Sequence, residues 1–155
     1  MPIKQKMTSL RELGDQIALI LSIYDGKDFI PNIENRLKLV VSLDSRETLE
    51  SEEINGHNET PDFNTELVWT MERQTFQALR SRKVPLKMQA MSGNDQCLGT
   101  FMFDLREATI LSQQQNPDET YIGHSSWRKL KCTDLQAGRN APSINAALVI
   151  GQVSH

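Results

Sequence analysis

Thr60-Pro61-Asp62-Phe63-Asn64-Thr65-Glu66-Leu67-Val68-Trp69-Thr70-Met71 is the stretch whose reading decides the fold. Taken two residues at a time, Phe63, Leu67, Trp69, Met71 and the small Thr65 fall on one face, and Asn64, Glu66, Val68 and Thr70 on the other. That alternation is the period of a strand with one strongly buried face. Pro61 has no amide donor and a fixed φ, which suits the start of a strand and would be costly inside it.

Working outward, Gln16 to Tyr24 is β-branched and apolar on both faces and reads as a central strand, stopped by Asp25-Gly26. Pro31 and Asn32 break the chain into a loop. Leu37 to Leu43 alternates, with Leu37, Leu39, Val41 and Leu43 on one face. The acidic piece Arg46 to Thr60 has room for an edge strand at Thr48-Leu49-Glu50, whose charge would protect it from pairing with a neighbour. Glu72 to Lys83 is rich in helix formers, with Phe76 and Leu79 marking its inner side. Val84 to Met91, Leu98 to Leu105 and Ser143 to Ile150 are further strands, with Ser92 to Asp95 as the turn between the first two and Trp127 to Leu130 as a shorter strand. Ser112 to Tyr121 reads as a loop. Trp69, Trp127, Phe63, Phe101 and Phe103 are assigned to the core. The fold class is all-β: an antiparallel β-sandwich of about eight strands with one inserted helix, about 72–83. Met1 to Gly14 is a lead-in, read either as one helical turn on Met7, Leu10 and Leu13 or as a frayed terminus, and the domain runs over 15–152.

At 155 residues the chain fits one domain. Its two cysteines, Cys97 and Cys132, are far apart and form no Cys-x-x-Cys pair, so the expectation is a reduced intracellular protein without zinc. No signal peptide or membrane-spanning run is read in the sequence, and a soluble protein is expected. The net charge of −3 argues against nucleic-acid binding by the whole domain, because phosphate recognition needs a cationic surplus.

Pro61, the aromatic Phe63, Asn64, Glu66 and the alternating apolar residues resemble the strand signature of C2 domains, with Thr65 inserted before Glu66. The resemblance tightens with His57, Trp69, Arg73, Pro85-Leu86-Lys87, Gln89, Leu98-Gly99, Asp104-Leu105-Arg106, Trp127 and Leu130. Together these are similar to the N-terminal C2 domain of the centrosomal protein of 120 kDa family, over about Asp15 to Val149. The segment from Leu105 to Trp127 is longer here. The resemblance implies a C2 sandwich in a centriole-elongation and ciliogenesis factor of the cytoplasm, cytoskeleton and centrosome. It further implies tubulin, microtubules or centriolar proteins as partners, and a full-length homodimer formed through a coiled coil outside this chain.

Many C2 domains bind calcium, which needs six to eight oxygen ligands. Here the equivalent loops, Gly26 to Arg36 and Ser92 to Cys97, offer Asp28, Glu34 and Asp95 only, with Met91 and Gly93 where acids would be expected, so no metal or other cofactor is expected. His57, His124, Ser125 and Ser126 fit no Gly-x-Ser-x-Gly or His-Glu-x-x-His pattern, and the expectation is no enzyme. Arg73, Arg80, Arg82 and Lys83 form the partner-binding candidate, a cationic helix suited to the acidic tails of tubulin, or otherwise a solvated helix face. The alternative is peripheral binding to anionic phosphoinositide membrane through Lys38 and Lys87, which both point away from their strands' apolar faces.

Overall fold

A computed structural model describes residues 10–30, 36–44, 46–93, 95–111, 125–132 and 140–153, with no side-chain description at 11 and 12. The loops expected at Pro31, Asn32 and 112–121, and the residues Met7, Glu34 and His124, lie outside the described residues. The strands in chain order are β1 (Gln16–Lys27), β2 (Arg36–Leu43), β3 (Leu49–Glu50), β4 (Ile54–Asn55), β5 (Asp62–Glu72), β6 (Leu86–Ser92), β7 (Cys97–Phe103), β8 (Thr109–Ile110), β9 (Ser126–Lys129) and β10 (Ser143–Gln152). Helix α1 (Arg73–Ser81) follows β5 directly.

Two sheets result, one ordered β5-β1-β10-β8 with β9 also on β10, the other ordered β3-β2-β6-β7 with β4 also on β2. The long pairings are antiparallel, and β8 alone among the described strands lies parallel to its neighbour, β10. Ile17, Leu19, Leu21 and Ile23 of β1, with Leu67, Trp69 and Met71 of β5, face Leu39, Val41, Leu86, Met88 and Phe103 of the opposite sheet across one buried core. Ser22, Ala147 and Val149, on the other side of the first sheet, are also buried, as the unbroken apolar runs of central strands predict. The Trp69 indole N–H donates to the Glu47 carbonyl at 3.0 Å and ties β5 to the segment entering β3.

Two readings are corrected and one alternative is decided. Asp25-Gly26 does not stop β1, which continues to Lys27 through a register shift after Ile23. Gly26 is required there because a Cβ would sit 2.6 Å from the Phe29 ring. Trp127 is not in the core but 43% exposed, with the Lys27 ammonium 4.4 Å from its ring. The period of β9 turns its neighbour Arg128 inward instead, against the rings of Phe101 and Phe103. Of the two readings of the lead-in, the helical turn holds for Leu10 and Leu13, which form a single 3-10 turn buried in the core cluster.

Candidate interaction surface at the end of the helix

Helix α1 exists because Phe76 and Leu79, three residues apart, are both buried beneath it. Its remaining positions carry the cations, and the structure divides them into two groups. Arg73 stands at the start of the helix and is engaged in holding the fold: its amide donates to the Asp15 carbonyl at 2.7 Å, its guanidinium to the Gly14 carbonyl at 3.3 Å, and the Asp15 carboxylate lies 3.9 Å away. Arg80, Arg82 and Lys83 gather at the other end, roughly 10 Å along the axis at 1.5 Å per residue.

Each of those three has a definable environment. Arg80 is half-buried over the Phe76 ring at 5.6 Å, in the last turn, where the exposed carbonyls favour a cation. Arg82 caps the helix and reaches Asp44 at 3.7 Å. Lys83 has φ +59, a left-handed conformation that glycine usually supplies after a helix. Its amide donates to the Arg80 carbonyl, and the next amide, of Val84, donates to the Leu79 carbonyl, which ends the helix with its last carbonyls satisfied.

The single turn Leu105–Glu107 packs against α1, and Asp104 at its start lies within the field of Lys83. In it Asp104 accepts the Arg106 amide at 2.9 Å and the Arg106 guanidinium at 2.7 and 3.1 Å. The guanidinium bonds, followed by the amide bond and the charges of Arg106 and Lys83, hold the Asp104 carboxyl down at about 2. Beside α1, a depression of about 590 Å³ separates Gln74, Thr75 and Ala78 from Asp44 and Arg46, with Glu72 and Arg82 on its wall.

Lys38 and Lys87 share the outer face of the second sheet on adjacent strands, but they are not neighbours. Lys38 stands opposite Met91 and Lys87 opposite Ser42, four residues along β6, or about 14 Å. Lys38 also meets Glu50 at 3.6 Å. The turn ends of the two loops compared with calcium loops do meet, since a Cβ on Gly93 would lie 3.2 Å from the Arg36 amide. Among the described residues no three His, Cys, Asp or Glu converge on a point. His57 is exposed in a turn. No helix among the described residues is long and apolar enough to cross a membrane.

Sequence spacing hid the relation of the two cysteines. Thr100 pairs with Lys131, so Gly99 comes opposite Cys132, whose thiol donates to the Leu98 carbonyl at 2.9 Å. Burial, then the nearby Cys97, pushes the Cys132 thiol pKa up, which makes it a resting thiol.

Solved structures settle the architecture. The first C2 domain of plant extended synaptotagmin 1 superposes with a TM-score of 0.61 at 10% identity, over 89% of this chain and 96% of that one. The chain has the C2 fold. A CC2D1B structure matches this C2 sandwich with a TM-score of 0.55 at 14% identity, over 89% of the chain and 55% of the other. A human cytosolic phospholipase A2 matches with a TM-score of 0.51 at 7% identity, over 90% of the chain and 18% of that enzyme. No protein-family model matches the chain. In sequence this C2 domain resembles the centrosomal protein of 120 kDa. It is 28% identical to that of Xenopus tropicalis over 123 residues, 76% of this chain, and 29% identical to that of Mus musculus over 105 residues, 64% of this chain. The chain spans 14% of the length of the first and 10% of the second.

Proposed function

We propose that this C2 domain is a non-catalytic, calcium-independent interaction module of a centriole-assembly and ciliogenesis protein at the centrosome, and that it contacts tubulin through the C-terminal end of α1. The observation that carries the reading is the grouping of Arg80, Arg82 and Lys83 at the end of the helix, with Arg106 joined to the same end through Asp104, which feels both Arg106 and Lys83. Asp44 and Asp104 offset part of this charge, and the tip keeps a cationic surplus suited to an acidic peptide tail. The likeness to a centrosomal protein supports placing the partner in the cytoskeleton. Arg73 is excluded from the contact because it is committed to Gly14 and Asp15.

Co-sedimentation with taxol-stabilised microtubules, beside phosphoinositide liposomes and with calcium or chelator, tests this reading. Pelleting with microtubules that is insensitive to calcium, and that is lost when Arg80 and Arg82 are changed to Glu at unchanged melting temperature, is the expected result. Microtubule binding undiminished in that variant would remove the helix tip, and pelleting with liposomes alone would move the contact to a membrane. Calorimetric calcium binding at micromolar affinity would overturn calcium independence.

A further inference from the structure

Among the described residues, the edge of the first sheet formed by β5 is open. Pairing of β5 with β1 runs Ile17 to Met71, Leu19 to Trp69, Leu21 to Leu67 and Ile23 to Thr65, and the Arg73 amide bonds the Asp15 carbonyl in the same register. In an antiparallel pair, residues that exchange hydrogen bonds alternate with residues whose N–H and C=O point the other way. Thr65, Leu67, Trp69 and Met71 therefore bond β1. Glu66, Val68 and Thr70 direct their backbone groups to the outside.

Among the described residues no strand and no other hydrogen bond meets those groups. The side chains of all three are exposed, Val68 at 44%. An edge of this length is ordinarily blunted by lysine, proline or a bulge within it. Between Thr65 and Met71 there is no lysine or proline, and the bulge at Asn64, φ +40, lies just before the open stretch.

The charge of the edge selects its partner. The residues facing outward are Glu66, Val68, Thr70 and Glu72, with Asp62 before the bulge, so every charge is negative. Beyond Glu72 the edge runs into the depression beside Gln74, Thr75 and Ala78, which gives an added chain somewhere to continue. We propose that the open edge of β5 from Glu66 to Thr70 is a strand-addition site for an extended segment of a partner protein that bears lysine or arginine at alternate positions. Main-chain hydrogen bonds would supply affinity, and the row of cations on the Glu66 face of the added strand would supply selectivity. This site does not depend on the tubulin reading, which uses the cationic tip.

Amide exchange of the whole chain, followed by NMR with a synthetic seven-residue peptide alternating valine and lysine, tests it. In the free chain the amides of Glu66, Val68 and Thr70 exchange fast while those of Leu67 and Trp69 are protected. Saturating peptide slows the first three roughly tenfold, as a newly formed ladder would. Val68→Pro, which removes an outward donor and leaves the β1 ladder complete, abolishes the effect. Glu66→Lys weakens it without touching the backbone. The proposal is overturned if the three amides are already protected in the free chain, or if a valine and glutamate peptide protects them equally. It is also overturned by a concentration-dependent dimer that Val68→Pro dissolves with no peptide effect, which would assign the edge to a second copy.

Discussion

At the scale of single residues, Asp104 is the carboxylate whose environment is most clearly defined. It is exposed, yet it accepts both the backbone and the side chain of Arg106, and Lys83 adds its field from across the turn. Each of these favours the ionised form and lowers the pKa from 3.8 to about 2. Because the folded value lies below the unfolded one, the stabilisation linked to this group is present above pH 3.8 and is lost as pH falls through about 2. An NMR titration of the Asp104 carboxyl is expected to show a midpoint near 2, and Arg106→Ala to move it up toward 3.8. A midpoint unchanged by that substitution would mean the pair does not form in solution. On the proposed tubulin contact the same pair would bear on recognition, since Asp104→Asn leaves Lys83 and Arg106 uncompensated at the tip. Asn64 shows what sequence can convey at this scale. Thr65 stands out as an extra residue before Glu66, and β5 carries an extra residue there: three steps from Thr65 to Asp62 match two from Ile23 to Asp25 on β1. An insertion into a paired strand becomes a bulge, and asparagine tolerates its positive φ better than most residues.

At the scale of elements, β9 is where sequence and structure part. A four-residue strand has two possible faces, and the general preference of tryptophan for burial points to the wrong one. The edge position decides instead. Arg128, with a side chain 13% exposed, lies between the sheets, 2.7 Å from Glu107 and over Phe103 at 5.2 Å, while its Nε has no partner. An inward charge is one of the devices that keep an edge strand from pairing further. Glu107→Gln leaves that charge uncompensated and is expected to cost about 1–3 kcal/mol by urea denaturation. Arg128→Met, which removes the charge and keeps the volume, is expected to be neutral or stabilising. Equal losses in both variants would mean that the ion pair itself stabilises the sandwich. The longer strands were legible because each carries its own signal: alternation in β2, β5 and β6, and unbroken apolar runs in β1 and β10. β4 and β8, two residues each, carry none, since their pairing comes from the strand they lie against. The helix expected over 72–83 spans Arg73–Ser81, because Glu72 still belongs to β5 and Lys83 turns left-handed.

At the scale of the whole molecule, the cations of α1 were legible as a charge run, but their separate roles were not, because Asp15, Asp44 and Asp104 come from distant segments. The contacts made just before β1 also bear on where the folded unit starts. A sandwich beginning at β1 would need nothing before Asp15. Yet Leu13 is 2% and Leu10 6% exposed within the core cluster, and the Gly14 carbonyl accepts from Arg73. Fully burying a leucine is worth about 1.5–3 kcal/mol, and ordering the short turn that carries the two takes back part of the gain. A chain beginning at Asp15 is therefore expected to lose about 2–4 kcal/mol, read as a lower urea midpoint at nearly the same slope. Leu13→Ala in the full chain should reproduce much of that loss without shortening anything, whereas changing Arg73 to Ala alone should cost less, because its contacts with Gly14 and Asp15 lie at the surface. A truncated chain with an undiminished midpoint would show that the turn docks without contributing, and the folded unit would then begin at β1.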